Sequence, residues 1–267
     1  YVVSAHGIVP SKNYPVIKLD KSIYNLNINN TDKSCLDYEC YLIMLKNLKL
    51  AIKQKDDLVA SCKNINLKIN IFDAIGGSDG HKIIEHFLKV FNLKKKTFHN
   101  KIRNLEHIGR IGCLASHLIL WMSCIEKNKN ILILENDVTI QEDFSNIIKT
   151  INKDIILLDP FNPYNDNYNT YIESNEMKKL KIINGHTKTR NTDGKLKGAY
   201  CYIITPNGAK KIINYIIDSE EWLPADYYLN ENILNIGTTN KTIFRINKKY
   251  KAGEISSTKN FNNIVNK

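Results

Sequence analysis

What most constrains this chain is its alternation of short apolar runs with segments of helical period. Tyr41-Leu42-Ile43-Met44-Leu45 is a buried strand by pattern, and 48–62 follows with Leu48, Ile52, Val59 and Cys62 at near-helical spacing. A second strand is expected over 67–72, closed by a turn at "GGSDG" (76–80), then a helix over 82–91. Residues 114–126 carry Leu114, Leu118, Trp121, Met122 and Ile125 along one face and read as an amphipathic helix leading into a strand at 131–134. A helix over 144–151, a central strand in 154–160, a polar loop at 162–171 and a strand over 199–204 continue the pattern. Thr205-Pro206 then supplies an N-cap and a first-turn proline for a helix reaching about Asp218. Such alternation predicts one α/β domain around a largely parallel sheet over 38–267, behind an irregular N-terminal extension at 1–37.

The run Ile131-Leu132-Ile133-Leu134 is followed at once by Glu135, Asn136 and Asp137. Residues two apart on an extended chain point the same way, so the two acids can address one ligand. Acids that surface at a strand end are commonly just solvated. The alternative is a hard divalent cation, Mn²⁺ or Mg²⁺, which favours oxygen donors and is often held by one or two carboxylates together with substrate phosphates.

Composition narrows the partners. The formal charge of +11 admits an anionic ligand, but the lysines are dispersed and only Lys94-Lys95-Lys96 forms a dense run, which argues against nucleic acid. No apolar run has the length of a membrane span. The first sixteen residues lack a basic region ahead of an apolar core and make a poor signal peptide. Six cysteines without CxxC or zinc spacing favour a reducing, cytoplasmic setting, with Cys113 and Cys124 as small core residues. Asn29-Asn30-Thr31 and Asn240-Lys241-Thr242 fit the glycosylation acceptor pattern, which keeps the secretory pathway open.

The block "GRIGCLASHLILWMSCIEKNKNILILENDV" (109–138) resembles the signature of glycosyltransferase family 25: G-E-I-G-C-x-x-S-H, a helix, then a strand ending L-E-D-D. Ile111-Gly112-Cys113, Ser116-His117 and Leu134-Glu135-Asn136-Asp137 match in order and spacing. Arg110 departs from the usual acid before I-G-C, and Asn136 from the first Asp of the acidic pair. "INIFDAIGG" (69–77) is similar to the family's F-x-A-x-x-G turn through Phe72, Ala74 and Gly77, and "YLIMLKN" (41–47) to its first strand. "GAYCYIITPNGAKKII" (198–213) and "PADYYL" (224–229) resemble its later strand–turn–helix and P-x-D segments.

The resemblance implies a GT-A-like, Rossmann-type fold and a metal-dependent inverting transfer of galactose or glucose from a UDP-sugar. The acceptor would be a glycan or a hydroxylysine-type protein side chain. Carried over residue by residue, it implies Glu135 and Asp137 as metal ligands and Asp226 as catalytic base or acceptor anchor. Leu45, Asn47, Ala74, Gly77, Ser116, His117 and Asn136 would contact the donor. Each has a plainer reading: Asp226 as a helix-cap acid, His117 as a buried hydrogen-bonded histidine, and Tyr200 and Tyr202 as strand residues that simply pack. Two other classes compete with the enzyme, a silent glycan-binding module and a nucleic-acid-directed enzyme. Association state is left open.

Overall fold

The computed structural model describes residues 38–62, 65, 67–99, 108–142, 152–159, 198–239 and 242–247, and the backbone of strands at 2–4, 7–9 and 182–184. In chain order the elements are β1 (Val2–Ser4), β2 (Gly7–Val9), β3 (Tyr38–Met44), α1 (Lys49–Ser61), β4 (Ile69–Asp73), α2 (Gly77–Val90), β5 (Thr97–Phe98) and α3 (Ile108–Lys127). There follow β6 (Asn130–Glu135), β7 (Val138–Ile140), β8 (Ile155–Leu157), β9 (Ile182–Asn184), β10 (Cys201–Ile204) and α4 (Pro206–Asp218). The last are β11 (Glu221–Trp222), a 3₁₀ turn (Ala225–Tyr228), β12 (Ile236–Thr239) and β13 (Phe244–Ile246).

Seven strands form the central sheet in the order β4-β3-β6-β10-β8-β12-β9. β3 pairs in parallel with both β4 and β6, and β8 with β12, whereas β10 is antiparallel to its two neighbours and β9 to β12. Five of the seven strands therefore run one way, a mostly parallel sheet with two reversed members, as expected of a GT-A-like α/β domain.

Alternation along each strand sorts side chains into two layers. Tyr41, Ile43, Ile131 and Ile133 pack with α2, α3 and α4, while Cys40, Leu42, Met44, Leu132 and Leu134 pack with α1 and the β7–β13 ribbon. After β3 the chain adds β4 on one side and then crosses to place β6 on the other. That reversal puts a crevice at the carboxyl ends of β3 and β6, where open α/β sheets collect ligands. Ile43 is the register partner of Glu135 across it.

The helix over 114–126 departs from expectation. It begins at Ile108 and is enclosed on all sides between Ile111 and Ile125, Cys113 being half-buried. It is a central helix rather than an amphipathic surface one, because α2, α4 and the sheet surround it. "GGSDG" is likewise not a turn: Gly76 is the extended N-cap and α2 starts at Gly77. The reason is close packing. A Cβ on Gly80 would lie 3.0 Å from the Ile111 carbonyl oxygen, and one on Gly112 only 2.2 Å from that of Ile75. The segment read as an irregular extension carries the antiparallel β1–β2 pair. Elsewhere agreement is close, and Thr205 caps α4 by accepting from Gly208 N–H at 3.1 Å, with Pro206 in the first turn. The helix over 144–151, the loop over 162–171, Asn29 and Asn240 fall outside the described residues.

Gly112→Ala should lower stability by about 2–3 kcal/mol, the scale of overpacking a tight contact. Chemical denaturation measures it, and an unchanged midpoint would mean that the α3 approach to Ile75 is not tight.

Candidate active site

Cys113 and His117 stand one helical turn apart on α3, so both face the same way. That face meets the end of β6. His117 Nε2 lies 3.7 Å from Glu135 Oε1, and the ligand atoms of Cys113, His117 and Glu135 all fall within 4.8 Å of one another. Gly112 lets α3 sit this close. Ser116 pins it there, accepting from the Ile75 N–H at 2.9 Å and donating to the Gly112 carbonyl at 2.8 Å. Ser116 is wholly buried and both of these bonds are structural, holding the 74–77 segment against α3.

Behind His117 lies a buried polar chain. Trp121 Nε1–H donates to the Tyr202 hydroxyl at 2.9 Å, and His117 Nδ1 is 2.7 Å from the same oxygen. An indole can only donate, so the Tyr202 oxygen accepts from Trp121; the nearby Glu135 carboxylate favours the arrangement in which the phenol proton goes to His117 Nδ1 and the ring hydrogen sits on Nε2. In that tautomer the Nε2–H is turned towards Glu135. Nε2 is buried with no hydrogen-bond partner among the described residues, the carboxylate being its electrostatic neighbour. The thiol of Cys113 is pushed well up, by burial first and then by the charges of Glu135 and Asp226, with Arg110 pulling the other way. Thiol and imidazole thus both border Glu135.

Asp137 follows in the turn between β6 and β7. Its carboxyl is pushed up to about 7 by burial and by the charge of Glu135, and its Oδ1 is enclosed with no hydrogen-bond partner among the described residues. Asn136, between the two acids, donates its amide to Gln54 Oε1 on α1. Gln54 is buried, so Asn136 ties the acidic turn to the helix behind it. At the end of β8, buried Asp159 accepts from Tyr200 Oη at 2.9 Å and Thr242 Oγ1 at 3.1 Å. Glu135, Asp137 and Asp159 all act on the buried thiol of Cys201 between them, raising it together with burial.

Asp226 lies in the 3₁₀ turn packed on α3, and its Oδ2 accepts from the Gly198 N–H at 3.2 Å. Its charge reaches the Cys113 thiol, and so does that of Arg110 in the first turn of α3. Of the other residues named above, Ala74 N–H donates to the Met44 carbonyl at 2.8 Å, joining the ends of β3 and β4. Gly77 is buried at the start of α2. Leu45 is half-buried, Asn47 is exposed, and between them Lys46 pairs with Asp73 at 3.7 Å. Cys113, expected to be a core residue, packs half-buried against the core and also faces Glu135. Tyr202, expected merely to pack, orients its histidine.

Cys113, His117 and Glu135 form a cluster able to coordinate a divalent cation, provided His117 moves its proton to Nδ1. With the proton on Nε2, the donors open to a cation are the carboxylates, and the enclosed Oδ1 of Asp137 fits one. The residues present suit a divalent metal on either count.

Fold and site together define an α/β transferase-type domain whose acids gather at the carboxyl edge of the sheet. Residues 40–229 match the family described as glycosyltransferase family 25 (LPS biosynthesis protein), and the chain belongs to that family and is a glycosyltransferase. No curated protein matches the sequence. No helix among the described residues is long and apolar enough to cross a membrane.

Two outcomes follow from the geometry. The Asp137 carboxyl holds its proton more tightly when folded than unfolded, so metal-free protein should lose stability as pH rises from about 4 to about 7. Asp137→Asn should flatten that part of the stability–pH curve; an equally steep curve would contradict the burial of this acid. In ¹⁵N NMR the His117 ring should report the Nε2–H tautomer, and Tyr202→Phe should populate the other. A ring already on Nδ1–H in the unaltered protein would refute the bonding pattern.

Proposed function

We propose that the protein transfers a hexose, galactose or glucose, from a UDP-sugar to a hydroxyl of a glycan or hydroxylated side chain, with inversion at the anomeric carbon. What supports this reading is that Glu135 and Asp137 stand at the end of β6 beside the β3–β6 crevice, and that the charges of Glu135, Asp226 and Arg110 all reach the Cys113 thiol. Carboxylates there suit a cation, the crevice suits a nucleotide, and Asp226 is an acid of the neighbourhood that belongs to neither β6 nor its turn.

Glu135 and Asp137 would hold Mn²⁺ or Mg²⁺, which when bound offsets the charge developing on the leaving diphosphate. His117, oriented by Tyr202, keeps Glu135 in place from below. Arg110 offers a guanidinium to phosphate oxygens. Asp226, oriented by Gly198 N–H, takes the proton of the acceptor hydroxyl as its oxygen bonds to the anomeric carbon and the bond to the diphosphate breaks. Asn136 lowers the charge of the acidic turn relative to the family pattern, and its amide is committed to Gln54.

A panel of UDP- and GDP-sugars with and without Mn²⁺, read by thermal shift and nucleotide release, tests the proposal. Mn²⁺-dependent UDP binding is expected, lost in Glu135→Ala and Asp137→Ala. Asp226→Asn should retain UDP affinity while kcat drops about 10²–10⁴-fold, the usual scale for a general base. Metal-dependent UDP affinity that survives both alanine variants would remove these acids from the site, and binding without turnover of any sugar would favour a silent module.

A further inference from the structure

Two kinds of donor meet at the end of β6. Glu135 and Asp137 offer oxygen, which suits Mn²⁺ and Mg²⁺, whereas Cys113 and His117 bring sulfur and nitrogen from α3 to the same Glu135. The chemistry proposed above uses only the oxygens. It leaves His117 Nε2 fully buried, 3.7 Å from Glu135 Oε1 and without a hydrogen-bond partner among the described residues. A polar atom sealed in this way is costly, and an ion not yet bound is one of the few things that account for it.

The spacing fits one ion in particular. Bonds in a tetrahedral zinc site are about 2.0–2.3 Å long, which puts neighbouring ligand atoms about 3.3–3.6 Å apart. The His117–Glu135 separation of 3.7 Å is already close to that, and the Cys113 sulfur lies within 4.8 Å of both, so a small rotation of its side chain completes the set. Cys113 and His117 are one helical turn apart, on a helix that Gly112 and Ser116 hold at fixed depth. The Glu135 side chain is 33% exposed, so an ion reaches the cluster past its carboxylate. Behind the ring, Tyr202 Oη stands 2.7 Å from Nδ1 and can accept as well as donate. The imidazole can therefore carry its proton on Nδ1 and turn a bare Nε2 to the ion, with the outer partner that ligating histidines usually have.

We infer that Cys113, His117 and Glu135 form a second cation site, for Zn²⁺ or a similarly thiophilic ion, which shares Glu135 with the carboxylate pair. When the ion binds, the thiol gives its proton to solvent, a sulfur–metal bond replaces the S–H bond, and the ring proton passes from Nε2 to Nδ1; nothing is oxidised. Sulfur favours Zn²⁺ over Mn²⁺, so the two ions sort by donor. With Asn136 in the acidic turn and Arg110 nearby, the negative charge is too small for two dications at once. Zn²⁺ therefore displaces Mn²⁺ and shuts off metal-dependent nucleotide binding. That consequence, unlike the site itself, rests on the function proposed above.

Co²⁺, which takes zinc geometry and is coloured, reads the site without any nucleotide sugar. Titrated into reduced, metal-free full chain, it should give a thiolate-to-cobalt charge-transfer band that Zn²⁺ abolishes. Cys113→Ser should remove the band and weaken Zn²⁺ about a hundredfold by isothermal titration, the upper end of what even an outer-shell partner costs. Cys113→Ala carries the test if the serine variant disturbs folding. Glu135→Gln should keep the band but weaken Zn²⁺ at least about tenfold. In ¹⁵N NMR the His117 ring should change to the Nδ1–H form when Zn²⁺ is added. A band that survives in both Cys113 variants would put the ion on another cysteine, and Zn²⁺ binding with no thiolate band would put it on oxygens; either overturns the inference. In the presence of UDP, equimolar Zn²⁺ should release bound Mn²⁺, seen as the electron paramagnetic resonance signal of the free ion, and retention of both ions would overturn the shared use of Glu135. If the cobalt band forms through Cys113 while UDP never binds with Mn²⁺, the second site stands and the transferase reading is what fails.

Discussion

The contact between α3 and the segment joining β4 to α2 sets the rest of the molecule. Gly112 lies so close to the Ile75 carbonyl that no side chain fits between them, and Ser116, one turn later, bonds both strands of that contact. With the helix held at this depth, Cys113 and His117 come to rest beside the end of β6, and the 3₁₀ turn packs against the same helix. A helix held farther out would separate Glu135 from its two proton-bearing neighbours and Asp226 from the site. An extensive apolar core surrounds α3, but apolar packing is non-directional. The glycine and the serine supply the register.

Charge is handled in a graded way. Glu135 is half-exposed and faces groups that carry hydrogen; Asp137 is more enclosed and is driven towards its protonated form by burial and by Glu135. Asp159 is buried but satisfied by two hydroxyls. Asp154, at the other end of β8, is a purely structural acid, pairing with Lys211 at 2.6 Å and accepting from Asn207 and the Asn235 N–H. Asp137, at the carboxyl edge, is driven up from its ordinary value, and a perturbed acid beside a crevice of this kind is a functional-site candidate.

Much of this was legible in the chain. Strand cores such as Ile131–Leu134 announce themselves by composition, and Thr205-Pro206 announces a helix start, because both depend on neighbours in sequence. The reversal of β10 and the enclosure of α3 were not legible, since the residues of an antiparallel central strand are as apolar as those of a parallel one. "GGSDG" misled for a related reason: glycine serves equally for a turn and for close contact, and only the partner Ile111–Gly112 across the gap tells which. Among site residues, Glu135 and Asp137 stood out by their place behind an apolar run. Cys113 and Tyr202 did not, because a small thiol and a strand tyrosine look like packing until their neighbours are known.

By itself, then, the sequence determined the α/β class, the strand that delivers the acids, and the glycosyltransferase signature across 109–138, all carried by local pattern. Tertiary structure alone decided which groups share a site. The proton on His117 Nε2 depends on Trp121 and on Tyr202, 85 residues away. The fate of Asn136 depends on Gln54, 82 residues back. The charge of Asp226 reaches Cys113 only because the 3₁₀ turn packs on α3. Protonation, orientation and ligand geometry arise from distances of a few ångströms, and separation along the chain carries no information about those.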